Sequence, residues 1–155
     1  MNFLKKNIVY ILLTIIFIIS FSTVFNSKHD LNGDNFNYLL LSKSIVQGDG
    51  YVSTISGEAV PTNFFPPGYP AILAFFRLFL GENIIAFNII NGIFLLISVF
   101  ILFNLSKKIT NKIPLFFSVS VLVLLNVHVL KFATMTMSEI PYLLFTTLAI
   151  FAIYK

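Results

Sequence analysis

Three places in the sequence hold side chains able to do chemistry. Asp34 and Tyr38 stand four apart, which puts a carboxylate and a phenol on one face of a helix. A carboxylate there can take the proton of a hydroxyl substrate; an Asp ahead of a helix is equally suited to cap its N-terminus. Glu139, in Met137-Ser138-Glu139-Ile140-Pro141-Tyr142, heads an apolar run. An ionisable group at the edge of hydrocarbon is a functional candidate by default, and the helix macrodipole by itself also favours an acid at that place. Asn63-Phe64-Phe65-Pro66-Pro67-Gly68-Tyr69-Pro70 is a stiff aromatic corner that reads as a structural turn or as the wall of a substrate groove. Lys131 can hold a phosphate as a point charge or anchor a helix end. His128, alone three residues earlier, reads as a packed interface residue. Asn88 and Asn91, with Gly92, suit helix–helix packing.

Other chemistries are excluded by what is missing. There is no Cys, so disulfides, thiolate metal sites and cysteine nucleophiles are ruled out. No Walker loop, G-x-G-x-x-G, zinc spacing or G-x-S-x-G occurs. The net charge of +4 does not point to nucleic acid, because the Lys residues flank apolar runs and form no stripe on a soluble face. No metal ligand set is visible, no cofactor is called for, and a divalent metal requirement stays open.

The elements that position these residues belong to a membrane. Apolar residues make up 57% of the chain and charged residues 10%, with a mean hydropathy of +0.93. A soluble domain carries about 25% charged residues. A hydrocarbon core of about 30 Å needs about 20 apolar helical residues. Four runs approach that length, at 7–25, 83–105, 114–130 and 139–154, which predicts an all-α polytopic membrane protein with about four transmembrane helices. The first run exceeds the usual signal-peptide core and has no A-x-A-like site after it, so it reads as an uncleaved helix; cleaved or not, it exports the loop behind it. Lys5, Lys6, Lys107, Lys108, Lys112 and Lys155 fall on one side of this arrangement, and Asp30, Asp34, Asp49, Glu58, Glu82 and Glu139 on the other. The positive-inside rule makes the Lys side cytoplasmic, in the cell membrane, with the loop 26–82 outside.

That loop is too long to be structureless. Asn32-Gly33-Asp34 is a turn, FNYLLLSKSIVQ a helix too short to span, and Gly48-Asp49-Gly50 its end. Residues 51–62 have the pattern of a hairpin around Gly57-Glu58. YPAILAFFRLFL reads as a second helix, ended by Gly81, with Arg77 snorkelling to headgroups. Both helices are expected to lie on the membrane surface.

In order, the segments Gly33-Asp34-Asn35-Phe36-Asn37-Tyr38, Gln47-Gly48-Asp49-Gly50-Tyr51, Pro66-Pro67-Gly68-Tyr69-Pro70 and Met137-Ser138-Glu139-Ile140-Pro141 form a pattern. It resembles the N-terminal part of GT-C superfamily glycosyltransferases, nearest to family 39 and its protein mannosyltransferase relatives, over residues 5–154. The resemblance implies sugar transfer from a polyprenyl-phosphate donor to a saccharide, lipid or protein acceptor outside the membrane. Asp34 would be the general base or would orient the acceptor, and Glu139 would be a second acid in a supporting role. Tyr38, Asn63, Pro67 and Tyr69 would shape the substrate site, with Arg77 and Lys131 beside the leaving phosphate. Family members are much longer than this sequence, so it is expected to lack most of the donor-binding shell and to be inactive alone. The competing expectation is a non-catalytic membrane subunit or assembly factor that binds a partner through its outer loop.

Overall fold

A computed structural model describes residues 2–26, 33–53, 58–109 and 113–154. Asp30, Asn32, Gly57, Lys112 and Lys155, which enter the sequence argument, lie outside these residues. The described chain folds into seven helices and one small ribbon: α1 (Asn2–Val24), α2 (Asp34–Gln47), β1 (Val52–Ser53), β2 (Val60–Pro61), α3 (Gly68–Leu80), α4 (Ile84–Ile109), α5 (Ile113–Leu125), α6 (Val127–Ala133) and α7 (Glu139–Ile153).

Two helices are long and apolar enough to cross a membrane, through Asn7–Val24 and Ile84–Ser106. The expected third span is not one straight helix. Its two parts, α5 and α6, meet at an angle of 63°. The cause is Asn126, whose backbone is extended and whose side-chain oxygen accepts from the amides of His128 and Val129, so a new helix starts there. Counted as one broken span, the pair brings the number to three. The fourth run forms α7, a helix of 15 residues. At 1.5 Å per residue it is about 22 Å long, short of a full hydrocarbon core.

Helices α1 and α4 run antiparallel. The Tyr10 hydroxyl donates to the Asn104 side chain near one end. Near the other, Gly92 lies under the Phe21 ring, so close that a Cβ on Gly92 would sit 2.6 Å from it. The main core fills between them and the later helices, with Leu13 and Phe17 against Leu95, Val99, Phe103, Leu124 and Ile140. Outward, α1 exposes Ile8, Ile11, Leu12, Ile15, Ile18 and Ile19. Water is the wrong solvent for such a surface; lipid is the right one.

The loop between α1 and α4 is folded. Gly33, at φ 110°, occupies the cap position of α2, so Asp34 is the first helical residue rather than the expected cap. Gly48, at φ 83°, ends the helix in the left-handed conformation, as its sequence predicts. The predicted hairpin is a two-residue antiparallel ribbon with Val52 opposite Pro61 and Ser53 opposite Val60. Helices α2 and α3 pack on each other, and a second apolar cluster of Tyr38, Leu39, Tyr69, Leu73 and Phe87 seats them on α4.

Arg77 does not snorkel. It is buried, 9% exposed, and turned into the α2–α3 contact. Its Nη2 donates to the Leu39 carbonyl at 3.1 Å and its Nε to Ser42 Oγ at 3.3 Å. Its Nη1 lies 3.2 Å from Glu82, which Lys43 reaches from α2 at 3.0 Å. The guanidinium carbon lies 5.6 Å from the centre of the Phe87 ring. A guanidinium has five donors and fixed geometry, so it can hold a carbonyl, a hydroxyl and a carboxylate together where an ammonium could not. Burial pulls its pKa below the ordinary arginine value, and Glu82 opposes that pull.

Candidate functional site

An open cleft of about 430 Å³ lies where α2, the proline corner, α3 and the start of α7 meet. Tyr38 comes from α2, Pro66 and Gly68 from the corner, Tyr69 and Ile72 from α3, and Ser138, Glu139, Pro141, Tyr142 and Phe145 from the head of α7. Each wall follows from local sequence. Pro66 and Pro67 fix the backbone ahead of α3, so Tyr69 stands in that helix's first turn. Glu139 and Tyr142 are three apart on α7, which puts both on one face.

The walls are tied together by polar contacts. The Tyr38 hydroxyl lies 3.2 Å from Ser138 Oγ, joining residues 100 apart in sequence. Tyr69 donates its hydroxyl to Asn91 Oδ1 on α4 at 3.3 Å. The amide nitrogen of the same Asn91 donates to the carbonyls of Met135 and Met137, at 2.6 and 3.1 Å. One turn away, Asn88 Oδ1 accepts from Thr136 Oγ1 at 3.0 Å. Two asparagines of α4 therefore hold the turn between α6 and α7, and with it the backbone that delivers Glu139. The sequence assigned them to packing between helices; Asn91 does join α4 to Tyr69 of α3, and both also bind the turn ahead of α7. The rings of Tyr38 and Tyr69 meet edge to face, with centres 5.2 Å apart, and Phe65 closes on Tyr38 at 5.4 Å.

Electrostatically the cleft separates two kinds of oxygen. Burial pushes the Tyr69 phenol well above its usual pKa; the Asn91 hydrogen bond offsets part of this, and the charge of Glu139 adds to it. Tyr69 is thus a neutral hydrogen-bond donor at any working pH. Glu139 is exposed, lines the cleft and has no cationic partner among the described residues.

Of the residues picked from sequence, Tyr38, Tyr69 and Glu139 line the cleft. The others do not. Asp34 is exposed at the first turn of α2, one turn from Tyr38 and outside the lining. Asn63 and Pro67 are exposed on the corner. Arg77 is occupied by the α2–α3 contact. Lys131 and His128 are exposed on α6, so His128 is not the packed residue its setting suggested. Ser138, Tyr142 and Phe145 were not singled out; the spacing of Tyr142 and Phe145 from Glu139 along one helix was the available signal. Among the described residues no group of three or more His, Asp or Glu side chains could hold a metal ion.

No protein-family model, curated protein or solved structure matches the chain.

Proposed function

We propose that this chain carries part of the catalytic cleft of a membrane glycosyltransferase. The donor is a sugar on a polyprenyl phosphate, and the acceptor is a hydroxyl on the extracytoplasmic side. The observation that supports this best is the convergence of three distant sequence segments on one cleft: Tyr38, the Pro66–Gly68 corner with Tyr69, and Glu139. In the reaction the acceptor oxygen bonds to the anomeric carbon as the bond from that carbon to the phosphate oxygen breaks. The phosphate leaves with the electron pair, and a carboxylate takes the acceptor's proton. A positioned base contributes about 10²–10⁴-fold.

Two carboxylates compete for that role. Asp34 has the place the family resemblance implies, while Glu139 stands in the cleft itself. In the fold as described, Glu139 is the better placed base and Asp34 orients the acceptor from the rim, one helical turn from Tyr38. In this reading the N-terminus is cytoplasmic, α2 and α3 are on the extracytoplasmic side, and the short α7 is a fourth pass. The exposed aromatic and apolar cleft walls suit a sugar face and a lipid carrier.

The test is transfer from a radiolabelled polyprenyl-phosphate sugar in proteoliposomes of the complete gene product. Glu139→Gln is expected to lose about 10²-fold or more, and Asp34→Asn less. Equal transfer by both variants and the parent would remove the carboxylates from the chemistry and favour a non-catalytic subunit. Topology is read separately. A cysteine at Glu58 should react with an impermeant maleimide from outside, and one at Lys107 only after permeabilisation. The reverse pattern would refute the orientation.

A further inference from the structure

Beyond what the core and the cleft take, helix α3 leaves part of its surface uncovered. Phe75, Leu78 and Phe79 are 57%, 66% and 73% exposed. Beside them runs an open groove of about 440 Å³, between Phe75, Phe76 and Phe79 of α3 and Ala86, Ile89 and Ile90 of α4. No charged or polar side chain lines it. Its volume is in the range of a ligand pocket, but it offers nothing that would orient a polar ligand.

Two features of the fold say what covers this face. First, its α4 wall is continuous with the outer surface of a span. Ile85, Ile89, Ile93 and Ile97 recur every four residues along α4, all exposed, so Ile89 belongs both to the groove and to that stripe. A stripe on a helix that crosses a bilayer is wetted by hydrocarbon. Second, the polar groups of α3 face away from the groove. Arg77 points into the α2–α3 contact and meets Glu82 and Lys43 there. A helix lying at the headgroups would turn Arg77 outward, and this one turns outward its phenylalanines.

We propose that α3 is sunk into one leaflet to acyl depth and that the groove between α3 and α4 is filled by acyl chains of bilayer phospholipid. The depth is consistent with the helix rise. Ile89 is five residues inside the start of α4 at Ile84, about 8 Å along the axis. An interfacial helix buries its apolar face about 5–10 Å below the headgroup boundary. Ile72 of the cleft precedes Phe75, Phe76 and Phe79 by three, four and seven residues, so all four share one face. The mouth of the cleft on that side is then bordered by lipid tails, and a molecule with an apolar chain reaches Glu139 from within the leaflet. This goes beyond the proposed chemistry and does not depend on it.

The chain holds neither Trp nor Cys, so one introduced Trp is the only indole in these 155 residues. Phe79→Trp is placed in nanodiscs of phosphatidylcholine brominated on its acyl chains, with Ile93→Trp as the span reference and aqueous iodide as the opposing quencher. Phe79→Trp is expected to lose roughly half or more of its emission to the bromines, as a ring at acyl depth does, and to resist iodide. Quenching by iodide with none by bromolipid would put α3 in water and overturn the proposal. Shielding from both would also overturn it, in favour of a covering protein surface such as a second copy of this chain. Phe75→Trp serves as the reporter if Phe79→Trp is not recovered folded, and no outcome depends on sugar transfer.

Discussion

Asn91 is expected to be the residue on which the cleft's shape depends most. Its side chain makes three hydrogen bonds, to the Tyr69 hydroxyl and to the carbonyls of Met135 and Met137. It is 1% exposed. Asn91→Leu keeps the volume and removes all three. Hydrogen bonds between membrane helices average about 0.6 kcal/mol each, so the bonds alone account for about 2 kcal/mol. The substitution also leaves a buried hydroxyl and two part-buried carbonyls without these partners, each a desolvation cost of about 1 kcal/mol. A total near 3–4 kcal/mol is reached if water relieves part of that cost. For a chain of this size about 3 kcal/mol corresponds to a fall in Tm of about 6–12 °C. Asn91→Asp separates the two ends of the amide: it still accepts from Tyr69 but no longer donates to the turn. Spin labels on cysteines at Val46 and Tyr142, both exposed, report the distance from α2 to α7 across the cleft in a chain with no other thiol. The Leu and Asp variants should both broaden that distance distribution. A Leu variant that melts within about 2 °C of the parent with an unchanged distribution would refute the assignment of Asn91 as the tie.

Two further outcomes are expected from named contacts. The hydrogen bond and charge of Lys43, and then the charge of Arg77, hold Glu82 below the usual carboxylate range. Its contribution is therefore fully present above the unfolded value of about 4.3 and is lost as pH falls through the lower folded value; thermal unfolding across that window should fall more steeply for the parent than for Glu82→Gln. Asn126→Ala removes the side chain that starts α6 and should cost about 1 kcal/mol, seen as faster hydrogen exchange at the Val129 amide.

The apolar runs made the helices legible, because the length of an uncharged stretch is a property of sequence alone. Gly48 and Gly81 marked helix ends correctly because glycine adopts, at little cost, the positive-φ backbone that side chains disfavour. The break at Asn126 was not legible, because the run around it is mostly apolar and reads as one span. Nothing in hydropathy distinguishes an asparagine buried between helices, such as Asn91, from one that caps a helix. Arg77 was misread for a related reason. Beside apolar neighbours an arginine snorkels or pairs, and the choice rests on partners in α2 some 35 residues earlier. The cleft was half legible. Tyr38, Tyr69 and Glu139 stood out by chemical type, but their meeting depends on how α7 is seated, and that is decided by backbone carbonyls the sequence does not display.

The shortness of α7 bears on what Glu139 costs. The turn ahead of α7 is held by Asn91, seven residues inside the start of α4, or about 10 Å along the axis. From Asn91 to the end of the apolar span of α4 at Ser106 is nearly the 15 residues of α7. The two helices pack along each other, so α7 begins recessed and the pair ends at a common level. If α4 spans as proposed, a carboxylate about 10 Å from its end is expensive; an acid at mid-membrane costs about 2.5–3.5 kcal/mol on insertion scales. The macrodipole at the start of α7 returns only about 0.3–1 kcal/mol of that. Glu139→Leu is therefore expected to stabilise the fold or leave it unchanged while abolishing transfer, the usual trade between stability and a charged site. Both readouts are needed: Tm in lipid nanodiscs and transfer by the complete gene product. A Leu variant that melts well below the parent would make the carboxylate part of the scaffold, and its place in the cleft would then say nothing about catalysis.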